Sequence, residues 1–242
     1  MISFSDQLKD SYAELQGKQK SAAKRRSSIK RLQRLLCPHL PSSRQRALDL
    51  GAGQGELVEA LYCLGCKNVE GVELSPSQVR LAKAHGCNSV SEGDACQALI
   101  QKSDSSLDLI CCFDVFEHLT YDTCALWFAQ IHRVLRPGGR LIAHVPNGLS
   151  PFVGSVYRGD LTHLWCPVPE SIQVFCRSSG LRWLGAYENI GASSGFQGKL
   201  RWLAWRGVSF FMAIVNTLET GLPSFEFPWS RTFLFVCERP DN

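Results

Sequence analysis

The sequence predicts an α/β fold built on a doubly wound, mostly parallel sheet, and three observations carry that prediction. Between residues 46 and 147, short apolar runs alternate with helix-like segments, the pattern of strands joined by crossover helices. The first run, "RALDL", leads straight into the glycine-spaced loop "GAGQGE". Polar residues with binding chemistry recur where later runs stop: Glu73, Asp94, Asp114 to His118, and Asn147. Sheets of this kind bind ligands outside the carboxyl ends of their strands, near the point where strand order reverses.

Ahead of the sheet, residues 1–45 are expected to form a basic helical segment, and 46–242 the main domain. The chain carries a net charge of +4. Residues 1–46 hold eleven Lys/Arg against Asp6, Asp10 and Glu14, a net of +8, which leaves −4 for the rest. The run "KQKSAAKRRSSIKRLQRLL" reads as a solvated helix face with Ile29, Leu32, Leu35 and Leu36 as its buried stripe. No second basic patch interleaved with aromatics follows, which argues against a nucleic-acid partner. Eleven cysteines fall mostly inside apolar segments, and "MISFSDQLKD" lacks the apolar stretch of a secretory signal. Reduced thiols and a cytoplasmic location are therefore expected. Cys63 and Cys66 have CxxC spacing without a second pair, so helix packing is expected there rather than a metal.

The sheet elements follow in order. After "RALDL" (46–50), residues 55–64 read as a helix with Leu57, Val58, Leu61 and Leu64 on one side. "VEGVEL" (69–74) is a second strand, and "PSQVRLAKAHG" a helix opened by proline and closed by glycine. A weaker third strand lies in "NSVSEGDA", and "LDLICCFDV" (107–115) is a fourth, apolar on both faces. A helix over 121–135 stops at "RPGG", and "RLIAHVP" (140–146) is a fifth strand. Beyond residue 147 the alternation lapses. A helix over 169–181, a strand in "RWLGAYENI" and a last strand over 231–238 surround an insertion at about 190–230. Its segment "KLRWLAWRGVSFFMAIVNTLETG" is apolar nearly all round, too short for a membrane span and interrupted by Arg206. A core or dimer helix, a lid over the substrate and an interfacial membrane helix all fit that composition.

The glycine loop constrains its ligand. The phosphate-binding Gly-Lys-Ser/Thr is absent, and Glu56 stands where a dinucleotide fingerprint needs its third glycine. Asp49 and Glu56 flank the loop and would repel a pyrophosphate; they suit a ligand with positive charge at that end. Glu73, 22 residues after Gly51, can accept both hydroxyls of a ribose, and Asp94 is placed to accept from an adenine amino group.

"LDLGAGQGE", "VEGVELS", "EGDA", "LDLICCFDVFEHL" and "VLRPGGRLIAHVPN" resemble, in order and spacing, the motifs of class I S-adenosylmethionine-dependent methyltransferases. The looser tail "RGDLTHLWCPVPESIQVFCRSSGL" is similar to that of bacterial enzymes acting on sugars and related metabolites, except for Pro167-Val168 where an aromatic-Thr/Ser pair is usual. The resemblance implies a seven-stranded Rossmann-like sheet with its last strand antiparallel, and S-adenosylmethionine as cofactor. It also implies a cofactor site made of Asp49, Gly51, Ala52, Gly53 and Gly55, of Glu73 with Leu74 at the ribose, of Asp94 with Ala95 at the adenine, and of Phe113, Asp114 and Val115 beside the methionine moiety.

Methyl transfer requires exclusion of water, alignment of the acceptor and often removal of its proton. His118 in "DVFEHLT" and His163 in "GDLTHLW" are the candidate catalytic residues, while His39, His85, His132 and His144 read as structural or exposed. The expected acceptor is a saccharide or another hydroxylated small molecule, bound among Phe152, Tyr157, Trp165, Phe196, Trp202 and Trp205. No metal is expected. A competing assignment uses Glu117, His118, His163 and Asp114 as ligands of a divalent ion, resembling the metal-dependent small-RNA 3′-end methyltransferases. A non-catalytic methyltransferase-like scaffold is the third alternative.

Overall fold

A computed structural model describes residues 21–189 and 195–241. The first 20 residues of the basic segment and the start of the insertion, 190–194, lie outside the described residues. Seven strands form one sheet: β1 (Arg46–Leu50), β2 (Asn68–Glu73), β3 (Val90–Glu92), β4 (Leu107–Phe113), β5 (Leu135–Pro146), β6 (Arg182–Glu188) and β7 (Thr232–Glu238). Their spatial order is β3-β2-β1-β4-β5-β7-β6. The first five are parallel, whereas β7 runs antiparallel to both β5 and β6. Strand order reverses between β1 and β4, so the carboxyl ends of these two strands flank the expected ligand crevice.

Both faces of the sheet are covered. Its central strands are buried along nearly their whole length, which is why "LDLICCF" is a continuous apolar run rather than an alternating one. On one face Phe116, Phe128, Ile131, Phe233 and Phe235 pack over Leu48, Leu50 and Ile110. On the other, Leu57, Val58, Leu61 and Leu36 pack over Ala47, Leu109 and Ile142. Helices α2 (Glu56–Cys63), α3 (Pro76–Ala84), α4 (Ala95–Gln101) and α5 (Tyr121–Val134) make the crossovers. Cys63 ends α2 exposed, while Cys66 lies buried beyond its C-terminus, and all eleven cysteines are free.

The helix expected in the basic segment is α1 (Ala22–Leu36), capped at its start by Ser21. Ile29 and Leu36 are buried as expected, and Arg25, one turn before Ile29 on the same side of the helix, is buried with them. "RPGG" does not separate helix from strand: α5 stops at Val134 and β5 begins at Leu135, with the register against β4 shifting between Leu107 and Leu109 to absorb the turn residues. Past β5, a long loop contains the short α6 (Gly154–Tyr157), and α7 (Pro169–Ser179) precedes β6. The unusual Pro167-Val168 does not disturb the start of α7, because Ser171 Oγ accepts from the Val168 N–H at 3.2 Å and donates to its carbonyl at 2.8 Å. The insertion forms one 25-residue helix, α8 (Phe196–Thr220), in which only Gly198 and Ala213 are buried. That exposure rules out the core-helix assignment. No helix among the described residues is long and apolar enough to cross a membrane.

Candidate active site

The glycine loop sits at the end of β1 and is shaped by backbone that only glycine adopts freely. Gly51, Gly53 and Gly55 all have positive φ, at 77°, 51° and 76°. A Cβ on Gly51 would lie 2.5 Å from Val115 Cγ2, so the loop and the end of β4 approach too closely for any other residue. Ala52 is buried beneath the loop. The Gly53 N–H instead faces Glu73 at the end of β2 and donates to its Oε2 at 2.8 Å, while Ser75 N–H donates to Oε1 at 2.8 Å. Each Glu73 oxygen is thus held by one backbone donor and keeps a lone pair for a further hydroxyl. Leu74 beside it is exposed. At the end of β3, Asp94 caps α4 by accepting from Gln97 N–H at 2.9 Å, with Ala95 partly buried behind it. The acids of β1, β2 and β3 therefore line one edge in spatial order.

Asp49 is 1 % exposed, and neither carboxylate oxygen has a hydrogen-bond partner. Burial, and then the neighbouring Glu73, push its carboxyl well above the usual range. A buried acid left without a partner costs free energy unless a ligand supplies a donor or a cation. An unpartnered buried acid, a neighbouring carboxylate with lone pairs to spare and a glycine backbone open to contact fit S-adenosylmethionine, which carries a cationic amino acid end and a ribose.

The loop is braced from outside the sheet. Arg25 of α1 donates to the Gln54 carbonyl at 2.9 Å and to Glu59 Oε2 at 2.9 Å, and Ser28 donates to Glu56 Oε2 at 2.9 Å. On the β4 side, Phe113 stacks on His144 with ring centroids 5.4 Å apart, and Asp114, at φ 56°, contacts His144 Nδ1 through Oδ1 at 2.6 Å. His144 is buried, which fits its reading as structural and rules out the exposed alternative. Arg31 donates to Asn189 Oδ1 at 3.0 Å, which turns the Asn189 amide NH₂ toward His144 Nε2 at 2.8 Å. Nε2 must then accept, so Nδ1 carries the proton and donates to Asp114. His144 beside it holds the Asp114 carboxyl below its ordinary value.

The two candidate histidines meet, with ring centroids 4.6 Å apart. His118 ends a single 3₁₀ turn (Phe116–His118), and His163 lies on the long loop after β5. That loop is pinned to the turn by Leu164 N–H donating to the Glu117 carbonyl at 2.8 Å, and by buried Trp165 donating to the Phe116 carbonyl at 3.0 Å. Thr162 donates its hydroxyl proton to Asp160 at 2.6 Å, so its oxygen accepts from His118 Nδ1 at 2.8 Å and the lone pair falls on Nε2. Burial, and then His163, lower the His118 pKa, favouring the neutral ring. His163 Nδ1 donates to the Tyr157 carbonyl at 2.9 Å, which leaves its Nε2 lone pair 3.9 Å from Glu117 Oε1. Glu117 is 1 % exposed, and burial, then Asp114, push its carboxyl well above the usual range. One ligand atom from each of Glu117, His118 and His163 lies within 4.8 Å of the others, the spacing of a metal-binding group.

Sequence reasoning did not find Arg25, His144, Asn189, Thr162 or Asp160. His144 carried the one available signal, since it lies near the carboxyl end of a strand like the other site acids.

Strand order, the reversed last strand, the glycine loop and the acid at the end of β2 together define the class I methyltransferase fold. The methyltransferase domain family matches residues 48–143. The ubiquinone biosynthesis O-methyltransferase of Xylella fastidiosa is 35% identical over 112 residues, covering 45% of this chain and 44% of that one. The protein of the same name from Nitrosococcus oceani is 27% identical over 158 residues, covering 59% and 66%. The chain thus spans less than half the length of the first of these relatives. Among solved structures, a SAM-dependent methyltransferase from Archaeoglobus fulgidus superposes with a TM-score of 0.63 at 19% identity, covering 88% of this chain and 94% of that one. The cyclase SpnF superposes at 0.59 and 17% identity, covering 88% and 81%. The same fold therefore serves more than one chemistry, and the reaction has to be argued from the site.

Proposed function

We propose that the protein is an S-adenosylmethionine-dependent O-methyltransferase acting on a hydroxylated small molecule. The observation that carries this reading is the buried, unpartnered Asp49 beneath a positive-φ glycine loop, one strand from Glu73. When bound, the cofactor supplies an electrophilic methyl group. Asp49 holds its cationic amino acid end, Glu73 the ribose, and Asp94 with Ala95 the adenine. Asp114, oriented by His144, faces the reacting end with Phe113 and Val115. His118, neutral and with its Nε2 lone pair free of Thr162, takes the proton of the acceptor hydroxyl. His163 packs against the His118 ring and shields it from water.

The acceptor reading draws on a cavity of about 700 Å³ that meets the site at Asn189, although neither candidate histidine nor the cofactor acids line it. Asn189 lines it and also hydrogen-bonds His144, so cavity and site share a wall. Tyr187, Trp202, Phe210 and Trp229 give it aromatic faces suited to a ring-shaped acceptor. The relatives' O-methyltransferase names support a hydroxyl as the acceptor atom. A saccharide and a phenol both present a hydroxyl on a ring.

A second reading is favoured by the clustered Glu117, His118 and His163, with both Nε2 lone pairs available: a divalent ion held there would activate the acceptor hydroxyl directly. Calorimetry with S-adenosylmethionine comes first. Micromolar binding that Glu73→Ala abolishes is expected, and no binding by the wild type would sink the cofactor assignment and leave a scaffold. Methyl transfer from radiolabelled cofactor to a panel of sugars and phenols then follows, with and without EDTA. Activity that survives EDTA but falls about a hundredfold or more in His118→Ala fits the base. Activity lost to EDTA and restored by Mg²⁺ or Mn²⁺ selects the metal.

A further inference from the structure

The outer face of α8 carries an apolar stripe without a partner among the described residues. Phe196, Leu200, Leu203, Phe210, Ile214 and Leu218 recur at spacings of three, four and seven, and so share one side of the helix. Phe196 and Leu218 are each 81% exposed, and Leu203 and Phe211 are each 63% exposed. The opposite side faces the protein: Gly198 and Ala213 are buried, and Trp205 and Ser209 donate to Glu188 at 2.9 and 3.2 Å. Leu222 and Phe225 extend the stripe past the helix end, with Phe225 5.8 Å from the Phe210 ring.

Cations border the stripe on both sides. At 3.6 residues per turn, Lys199 and Arg206 lie along one edge and Arg201 along the other, all three exposed, whereas Glu219 in the last turn is the helix's one acid. An exposed apolar sector flanked by cations is the pattern of a helix lying in the plane of an anionic bilayer surface, with apolar side chains at the acyl boundary and cations at the headgroups. Self-association by this face is disfavoured, because two copies packed stripe to stripe would set three cations against one acid on each side.

We propose that α8 is a peripheral membrane anchor that docks the protein on anionic phospholipid through this stripe. The inference is independent of the reaction assigned above. Docking would also set Arg206 and Phe210, which line the cavity, at the lipid boundary, giving an apolar acceptor a route to the cavity.

The test is flotation of the full chain with vesicles of equal parts phosphatidylglycerol and phosphatidylcholine, against phosphatidylcholine alone. The wild type is expected to float with the anionic vesicles, to stay behind with neutral ones and to be released by high salt, a comparison that needs no variant. The L203E/F211E pair should abolish flotation, and K199E/R201E should weaken it by about fivefold or more per cation, both with unchanged melting transitions. Wild type that fails to float, or that floats equally with neutral vesicles, overturns the proposal. So does a dimer, seen by light scattering, that L203E/F211E dissociates while vesicles bind neither form; a second copy would then own the stripe.

Discussion

In the proposed cofactor site, the environment of Asp49 sets a sign that can be measured. Its carboxyl is raised by burial and by Glu73, so in the free protein it holds a proton above the ordinary carboxylate range. A bound ammonium favours the carboxylate and expels that proton. Affinity for S-adenosylmethionine is therefore expected to rise with pH up to the raised Asp49 value and to level off above it. Calorimetry in two buffers of different ionisation enthalpy would count the released proton. Asp49→Asn should bind about tenfold to a hundredfold more weakly and release none; an unchanged proton count would assign it elsewhere. His118 gives a second profile. Its pKa is lowered by burial and by His163, so a rate limited by this base should fall only below the ordinary histidine range and stay flat at neutrality. A limb centred above that range would exclude His118 as the base. The placement of Asp49, Glu73 and His118 near the carboxyl ends of their strands was legible in the sequence because an apolar run marks each strand. His144 and Asn189 were not: their roles come from Asp114, 30 residues from His144, and from Arg31, 158 residues from Asn189.

At the scale of elements, the first helix contributes more than its pattern suggested. Ile29 and Leu36 were readable as a buried stripe because helical periodicity is local. Arg25 lies on the same side of the helix, but its partners, the Gln54 carbonyl and Glu59, are brought to it only by the folded chain. Arg25→Met is expected to leave that carbonyl and Glu59 without their cation, costing about 1–3 kcal/mol of stability. It should also loosen the glycine loop, so that cofactor affinity falls with it; denaturant titration and calorimetry on one preparation would separate the two effects. An affinity unchanged despite lost stability would show that α1 braces the fold but not the loop. The start of β5 misled the sequence reading for a related reason. Proline and two glycines usually end an element, yet pairing of Leu135 with Leu107 holds this stretch in the sheet despite them. The insertion was legible as one apolar helix, but its composition could not say which side faces solvent; the contacts of Trp205 and Ser209 with Glu188 decide that.

For the whole molecule, the cofactor and the fold compete for the same buried charge. A carboxyl whose folded pKa is raised stabilises the fold below its unfolded value, and that contribution is lost as pH rises through the folded value. Asp49 therefore weakens the free protein at higher pH, where it must ionise without a partner. A cationic ligand removes that penalty because it binds the ionised form, and any ligand specific to the native state adds about 2.7 kcal/mol at a hundred times its Kd. For a domain of this size, that corresponds to a rise in melting temperature of about 5–10 °C. The rise should be largest at high pH and shrink as pH falls toward the carboxylate range, when each melt is run at a fixed ligand concentration. Sinefungin, which keeps an amine where the sulfonium stands, should reproduce the trend, and Asp49→Asn should flatten it for both ligands. A shift of the same size at every pH would mean that Asp49 does not titrate with binding. The charged end of the ligand would then be held by another group, and the central acid of this site would be structural.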